Sequence, residues 1–285
     1  EEMSIFNPVD SFKDMLNELA KEFGRVAMKW LKLYVVNPTD FSQHKYLNQM
    51  YDWVFIFATT IAGTLLAFNL LKIYFEEMQG GASRGSSEVI WRSILGVVFA
   101  CSTPWILTDV LLKINNLWVN FIIDQGLKLN GSQFMKLLNP TPGGNLSLTL
   151  MVLITVVLFL VLCIQYIIRQ GELMYLLVLS PAASITMVNG EMNIFPAWWR
   201  EACAVVFMQA FQVTGLWLIY NMIAGGSGLA DYIKACGLIF VLLKGPGWLR
   251  QFIYSTGAGR GMVNAAGGVG KFAMYKMMTK KALGG

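Results

Sequence analysis

The sequence predicts an all-α fold: a polytopic membrane helical bundle of about five to six spans, preceded by an amphipathic interfacial helix. Three observations predict it. Of the 285 residues, 55% are hydrophobic and only 14% are charged, against roughly 25% charged in a soluble domain, and the mean hydropathy is +0.53. The apolar stretches are continuous rather than alternating, which favours helices over a barrel. No polar stretch is long enough to form a separate soluble domain. The expected organisation is an amphipathic helix and linker over residues 1–48, a transmembrane bundle over 49–247 and a Gly-rich basic tail over 248–285.

Residues 9–36 read as the amphipathic helix. Phe12, Met15, Leu16, Leu19, Phe23, Val26, Ala27, Trp30, Leu31 and Tyr34 recur at helical spacing, with Lys and Asp or Glu on the other side. That charge content is too high to span a bilayer, so the helix is expected to lie in the interface plane or to bind a partner. Asn37-Pro38 ends it. The start, Glu1-Glu2-Met3-Ser4, has no basic region before an apolar core, so the first span is expected to serve as the insertion signal.

Span one runs from about Met50 to Tyr74 and span two from about Val89 to Leu112, with Pro104 expected to kink it. Ser93, Gly96 and Ala100 fall on one face of span two, where small residues admit a close neighbour. Residues 114–128 continue as an interfacial extension or one arm of a re-entrant pair. Span three covers Leu146 to Ile168 and span four Leu173 to about Val188; the two form one long bent helix or two legs hinged at Gln170-Gly171. Trp198 and Trp199 are expected at a membrane interface. Span five runs from about Ala202 to Ile223 and span six from Tyr232 to about Leu243, where Gly245-Pro246-Gly247 is expected to terminate it. In the tail, Gly257, Gly261 and Ala265 form a second small-residue stripe, and Lys271, Lys276, Lys280 and Lys281 a cationic end. The net charge is +5 and the pI about 9.0. The Lys and Arg of the tail place the C-terminus in the cytoplasm, in a multi-pass protein of the cytoplasmic membrane. Six spans would put both ends on that side; if spans three and four are one crossing, the ends lie on opposite sides.

The chemistry-bearing residues are few. The four cysteines, Cys101, Cys163, Cys203 and Cys236, lie in apolar segments without a C-x-x-C pair, and His44 is the one histidine; this predicts neither a metal site nor a disulfide framework. Gly267-Gly-Val-Gly-Lys271 departs from the phosphate-loop pattern at Ala265 and Phe272. The expectation is a protein that is not an enzyme and carries no cofactor. What stands out is Arg169 with Glu172 inside an apolar stretch, three residues apart and therefore on one helix face. They read as a self-neutralising ion pair at a hinge closed by Ser180-Pro181, or as a gate or substrate contact. Gln165, Gln209, Gln212 and Asn221 are polar groups within spans that either line an aqueous path or join helices by hydrogen bonds.

The segment Arg169-x-x-Glu172-Leu-x-x-Leu-x-x-Leu-Ser180-Pro181-x-Ala183 is followed by Trp198-Trp199, a further span, a Gly/Pro break and a glycine- and alanine-rich basic tail. This order resembles the TrbL-like polytopic membrane components of conjugative type IV secretion systems, most closely the Gram-positive type, over about residues 50–270. Against some members of that family, which carry a large soluble C-terminal domain, the expectation here is a departure, with a basic tail in its place. The resemblance implies a non-enzymatic channel or platform subunit that forms homo-oligomers in the lipid bilayer beside other secretion membrane subunits and ATPases. Its substrate would be single-stranded DNA bearing a relaxase, or protein. A solute transporter or ion channel unrelated to secretion, and a phage-type membrane pore, are the other readings.

Overall fold

A computed structural model describes residues 8–37, 39–41, 45–80, 86–127, 146–188, 193–224 and 228–255. All regular structure among them is helical. α1 is Pro8–Trp30 and passes into a π-helical turn, Leu31–Val36; α2 is Lys45–Met78; α3, Ser86–Trp105, runs through a second π-helical turn, Ile106–Leu111, into α4, Leu112–Asp124. α5 is Leu146–Ile185 with a closing 3₁₀ turn, Thr186–Val188; α6 is Phe195–Ala224 and α7 Leu229–Ser255. Five helical stretches among the described residues are long and apolar enough to cross a membrane: Lys45–Met78, Val89–Asp124, Leu146–Val188, Phe195–Met222 and Leu229–Ser255. Five rather than six follows from α5, which is one helix where spans three and four were separable. Neither Gly171 nor Pro181 interrupts it.

The last span needs a correction. Gly245-Pro246-Gly247 does not end it, and α7 continues to Ser255. Pro104, Pro181 and Pro246 all sit inside helices. Each lacks the N–H that would satisfy the carbonyl four residues back, which leaves Ala100, Leu177 and Leu242. In an apolar setting a helix survives such a gap when side chains supply the missing donor. Tyr51 Oη donates to Ala100 O at 2.8 Å, and Ser180 Oγ to Leu177 O at 2.8 Å. Near Pro246, Gln165 Nε2 donates at 2.8 Å to Leu243 O, the carbonyl next to Leu242. The π-helical turn directly after Pro104 is a common accompaniment of such a break.

The described residues pack as two compact units. The first takes those within 1–39, 114–171 and 207–248; the second those within 40–113, 172–206 and 249–285. The core of the first unit joins Ala27, Leu31 and Val35 of α1, Val119 of α4, Val156, Phe159, Leu162 and Tyr166 of α5, Val213, Leu216 and Ile219 of α6, and Ile239 and Leu242 of α7. Lipid is as apolar as these side chains, so close packing rather than escape from water favours their association. α6 and α7 run antiparallel: Gly215 faces Leu242 and Gly245 faces Phe211, each so tightly that a methyl on the glycine would collide with the facing side chain. α5 and α7 run parallel, with Gln165 bonded to Leu243 and Thr155 Oγ1 3.3 Å from Cys236 Sγ.

The face of α1 anticipated as one apolar stripe is two. Leu16, Ala20, Ala27 and Leu31 are buried, whereas Phe12, Met15, Leu19, Phe23 and Val26 are exposed.

In the second unit, Ala58 and Ala62 of α2 pack with Ala100 of α3 and Ile185 and Val188 at the end of α5. Gly96 is buried, and a Cβ there would lie 3.3 Å from Ser184 O. Thr103 Oγ1 is 3.3 Å from Ser184 Oγ. Leu107, Leu177, Met187, Phe195, Trp198 and Ala202 form a further cluster. Trp198 is therefore a packed core residue, with Nε1 donating to Leu176 O at 3.2 Å. Most of α2 faces outward: Trp53, Ile56, Phe57, Phe68 and Leu71 are exposed.

Candidate functional site

Two polar clusters stand out, one in each unit. The first begins where α1 stops. A helix leaves its last carbonyls without intrahelical donors, and Pro38 prevents any continuation. Gln209 of α6 supplies what is missing: Nε2 donates to Val35 O at 2.8 Å and to Asn37 O at 3.1 Å. Its Oε1 accepts from Asn115 Nδ2 and from Thr39 Oγ1, both at 3.0 Å. The two donor and two acceptor positions of the amide are all used. Asn115 Oδ1 in turn accepts from Ala210 N at 3.1 Å, and Asn116 Nδ2 donates to Thr39 O at 3.4 Å. Arg169 Nη1 donates to Thr39 Oγ1 at 3.3 Å. Gln209 and Asn115 are fully buried and Arg169 is 1% exposed. The segment that ends α1, α4 and α6 meet at one saturated amide, and α5 joins them through Arg169 and Thr39.

The second cluster lies in the other unit. Arg250 Nη2 donates to Glu172 Oε1 at 2.9 Å, and its Nε lies 2.7 Å from Glu201 Oε1. The latter is an ion pair by distance. Tyr254 Oη donates to Glu201 Oε2 at 3.1 Å, and the Arg200 guanidinium carbon stands 4.8 Å over the Tyr254 ring. Two cations and two carboxylates balance. The three ion-paired side chains are 27–34% exposed, so water screens them and each pair contributes on the order of 1 kcal/mol or less.

The structure thus redraws the Arg169/Glu172 reading. Glu172 is held by Arg250, and Arg169 belongs to the amide hub. Gln209 joins helices, as does Gln165. Gln212 is fully buried, and neither of its amide atoms has a hydrogen-bond partner among the described residues. Asn221 is exposed and bonds only its own helix, at Trp217 O. Ser180 is buried and serves the Pro181 break. Gly257, Gly261, Ala265, Lys271, Lys276, Lys280 and Lys281 lie outside the described residues. No group of three or more His, Cys, Asp or Glu side chains able to hold a metal occurs among the described residues.

Sequence reasoning passed over Asn115, Thr39, Glu201 and Arg250 as site residues. Asn115 and Asn116 were visible as adjacent amides in an apolar run. Arg250 was hidden by reading Pro246 as a helix end, which assigned it to the tail.

Five apolar helices with polar residues joined inside their packing define an all-α, multi-pass membrane protein. The family model for the conjugal transfer protein TrbL matches residues 5–280, and the chain belongs to that family. This makes it a component of conjugal transfer by type IV secretion. Comparison with curated proteins and with solved structures gave no match.

Proposed function

We propose that the protein is a channel or platform subunit of a conjugative type IV secretion system in the cytoplasmic membrane. It assembles there with copies of itself and with the system's other membrane subunits and ATPases, and it helps move single-stranded DNA with its attached relaxase across the bilayer. Its role is to bind and position rather than to catalyse. One observation carries this reading: the family match runs from residue 5 to residue 280, taking in the amphipathic helix and every span together. The basic tail, with Lys271, Lys276, Lys280 and Lys281, is assigned to the cytoplasmic mouth by its charge. Five crossings then put α1 on the opposite face.

The test is a mating assay. Deleting the gene from the donor should lower transfer by several orders of magnitude, and the wild-type gene supplied in trans should restore it. Undiminished transfer from the deletion strain would sink the proposal. A reporter fused after Gly285 that is active only outside the cytoplasm would overturn the orientation alone.

A further inference from the structure

The amide hub uses every polar atom of Gln209, but one helical turn further into the first unit the accounting changes. Gln212 is fully buried, and both Oε1 and Nε2 have no partner among the described residues. The same holds for the hydroxyl of the fully buried Tyr166 and for Gln165 Oε1. By register the three residues that carry these four atoms lie at one level of the bundle, along two routes through the packing. Arg169 and Gln209 both bond Thr39 Oγ1. α6 runs antiparallel to α7, and α7 parallel to α5, so α5 and α6 are antiparallel. Three residues back from Arg169 and three forward from Gln209 are Tyr166 and Gln212. Independently, Gln165 bonds Leu243, while Leu242 faces Gly215 and Gly245 faces Phe211. That again sets residues 165 and 166 against residues 212 and 213. Pro246 adds a fifth group, because it has no N–H to offer the Leu242 carbonyl.

We propose that this level of the first unit is a binding site for internal water, one or two molecules bridging Gln212, Tyr166, Gln165 and the Leu242 carbonyl. The donor set decides the ligand. It mixes a two-proton donor, Gln212 Nε2, with carbonyl acceptors and a hydroxyl that serves as either. Water matches both kinds and is the usual partner of such buried groups. An apolar ligand would satisfy none of them. A metal cation would have nothing to exchange with the Nε2 protons, and the Arg169 guanidinium lies one turn away on α5. The water ties the proline break of α7 to α5 and α6, completing what Gln165 begins at Leu243. This inference is independent of the role in conjugation.

The experiment uses the full-length protein in lipid nanodiscs. A density map fine enough to show ordered water should reveal a peak within hydrogen-bond distance of Tyr166 Oη and of the Gln212 amide, and Tyr166→Phe should weaken or shift it. In thermal unfolding, Tyr166→Phe and Gln212→Leu should each lower Tm, and the double variant should fall little further than the worse single. A dry site would overturn the proposal, whether the two side chains bond each other directly or the two losses simply add. If Gln212→Leu fails to fold, Tyr166→Phe alone decides through the density.

Discussion

The two polar clusters solve the same difficulty in opposite ways. The hub around Gln209 is neutral except for Arg169, almost wholly buried, and built from short amides and a hydroxyl whose bonds are fixed by four segments. The cluster around Arg250 is built from ion pairs, about one-third exposed, between long side chains of three helices. Burial strengthens what is satisfied and penalises what is not, so the first should be rigid and costly to disturb. Solvent blunts both gains and losses in the second, which should be adjustable. The comparison predicts that charge is a poor guide to energetic weight in this chain: the conspicuous ions should carry less than an inconspicuous glutamine.

The largest expected effect tests that directly. Gln209→Leu should cost about 4 kcal/mol, because two carbonyls, Asn115 and Thr39 lose partners while staying buried, at roughly 1–3 kcal/mol per orphaned group. Chemical unfolding in detergent measures it; a loss below about 1 kcal/mol would mean that water already reaches the hub. Next in size is Arg250→Met, expected to cost about 1 kcal/mol. Exchanging Glu172 and Arg250 should not recover that loss, because it brings a second carboxylate up to Glu201. Adding Glu201→Arg to the exchange should recover it, and full rescue by the exchange alone would contradict the geometry. Salt separates the clusters further. Raising ionic strength toward 1 M should shrink the Arg250→Met effect, since screening shortens to about 3 Å, and leave the Gln209→Leu effect unchanged. Smallest is Asn221→Ala, expected within about 0.5 kcal/mol of wild type, since its one bond goes to Trp217 O on an exposed helix face.

Class and span positions were legible because hydropathy and length determine them almost alone. α2 extends past its expected limits by five and four residues at its two ends, and α6 by seven and one. The proline-containing helices were less legible. Whether Pro246 ends a helix depends on whether another element can supply a donor nearby, and Gln165, 78 positions before the Leu243 it bonds, is not a local signal. The same reason hid the partner of Glu172: i,i+3 spacing made Arg169 the obvious candidate, whereas Arg250 becomes available only once α7 is known to continue. Gln209 and Gln212 looked equivalent in sequence, three residues apart on one face. Their difference is tertiary, set by Thr39 and Asn115 reaching one and not the other.

The cap on α1 has a consequence for the order of events in synthesis. The carbonyls of Val35 and Asn37 receive their hydrogen bonds from a side chain 174 and 172 positions later. At roughly 5–20 residues per second, the end of α1 is synthesised about 10–35 seconds before Gln209. α1 therefore waits for α6 before its end is fastened, and for that interval the end must be solvated or held by something else. Nascent chains arrested before residue 209 should leave the Val35–Thr39 segment open to protease, and chains long enough for α6 to have left the ribosome should protect it. Equal cleavage in the two would show that the fastening does not wait for α6.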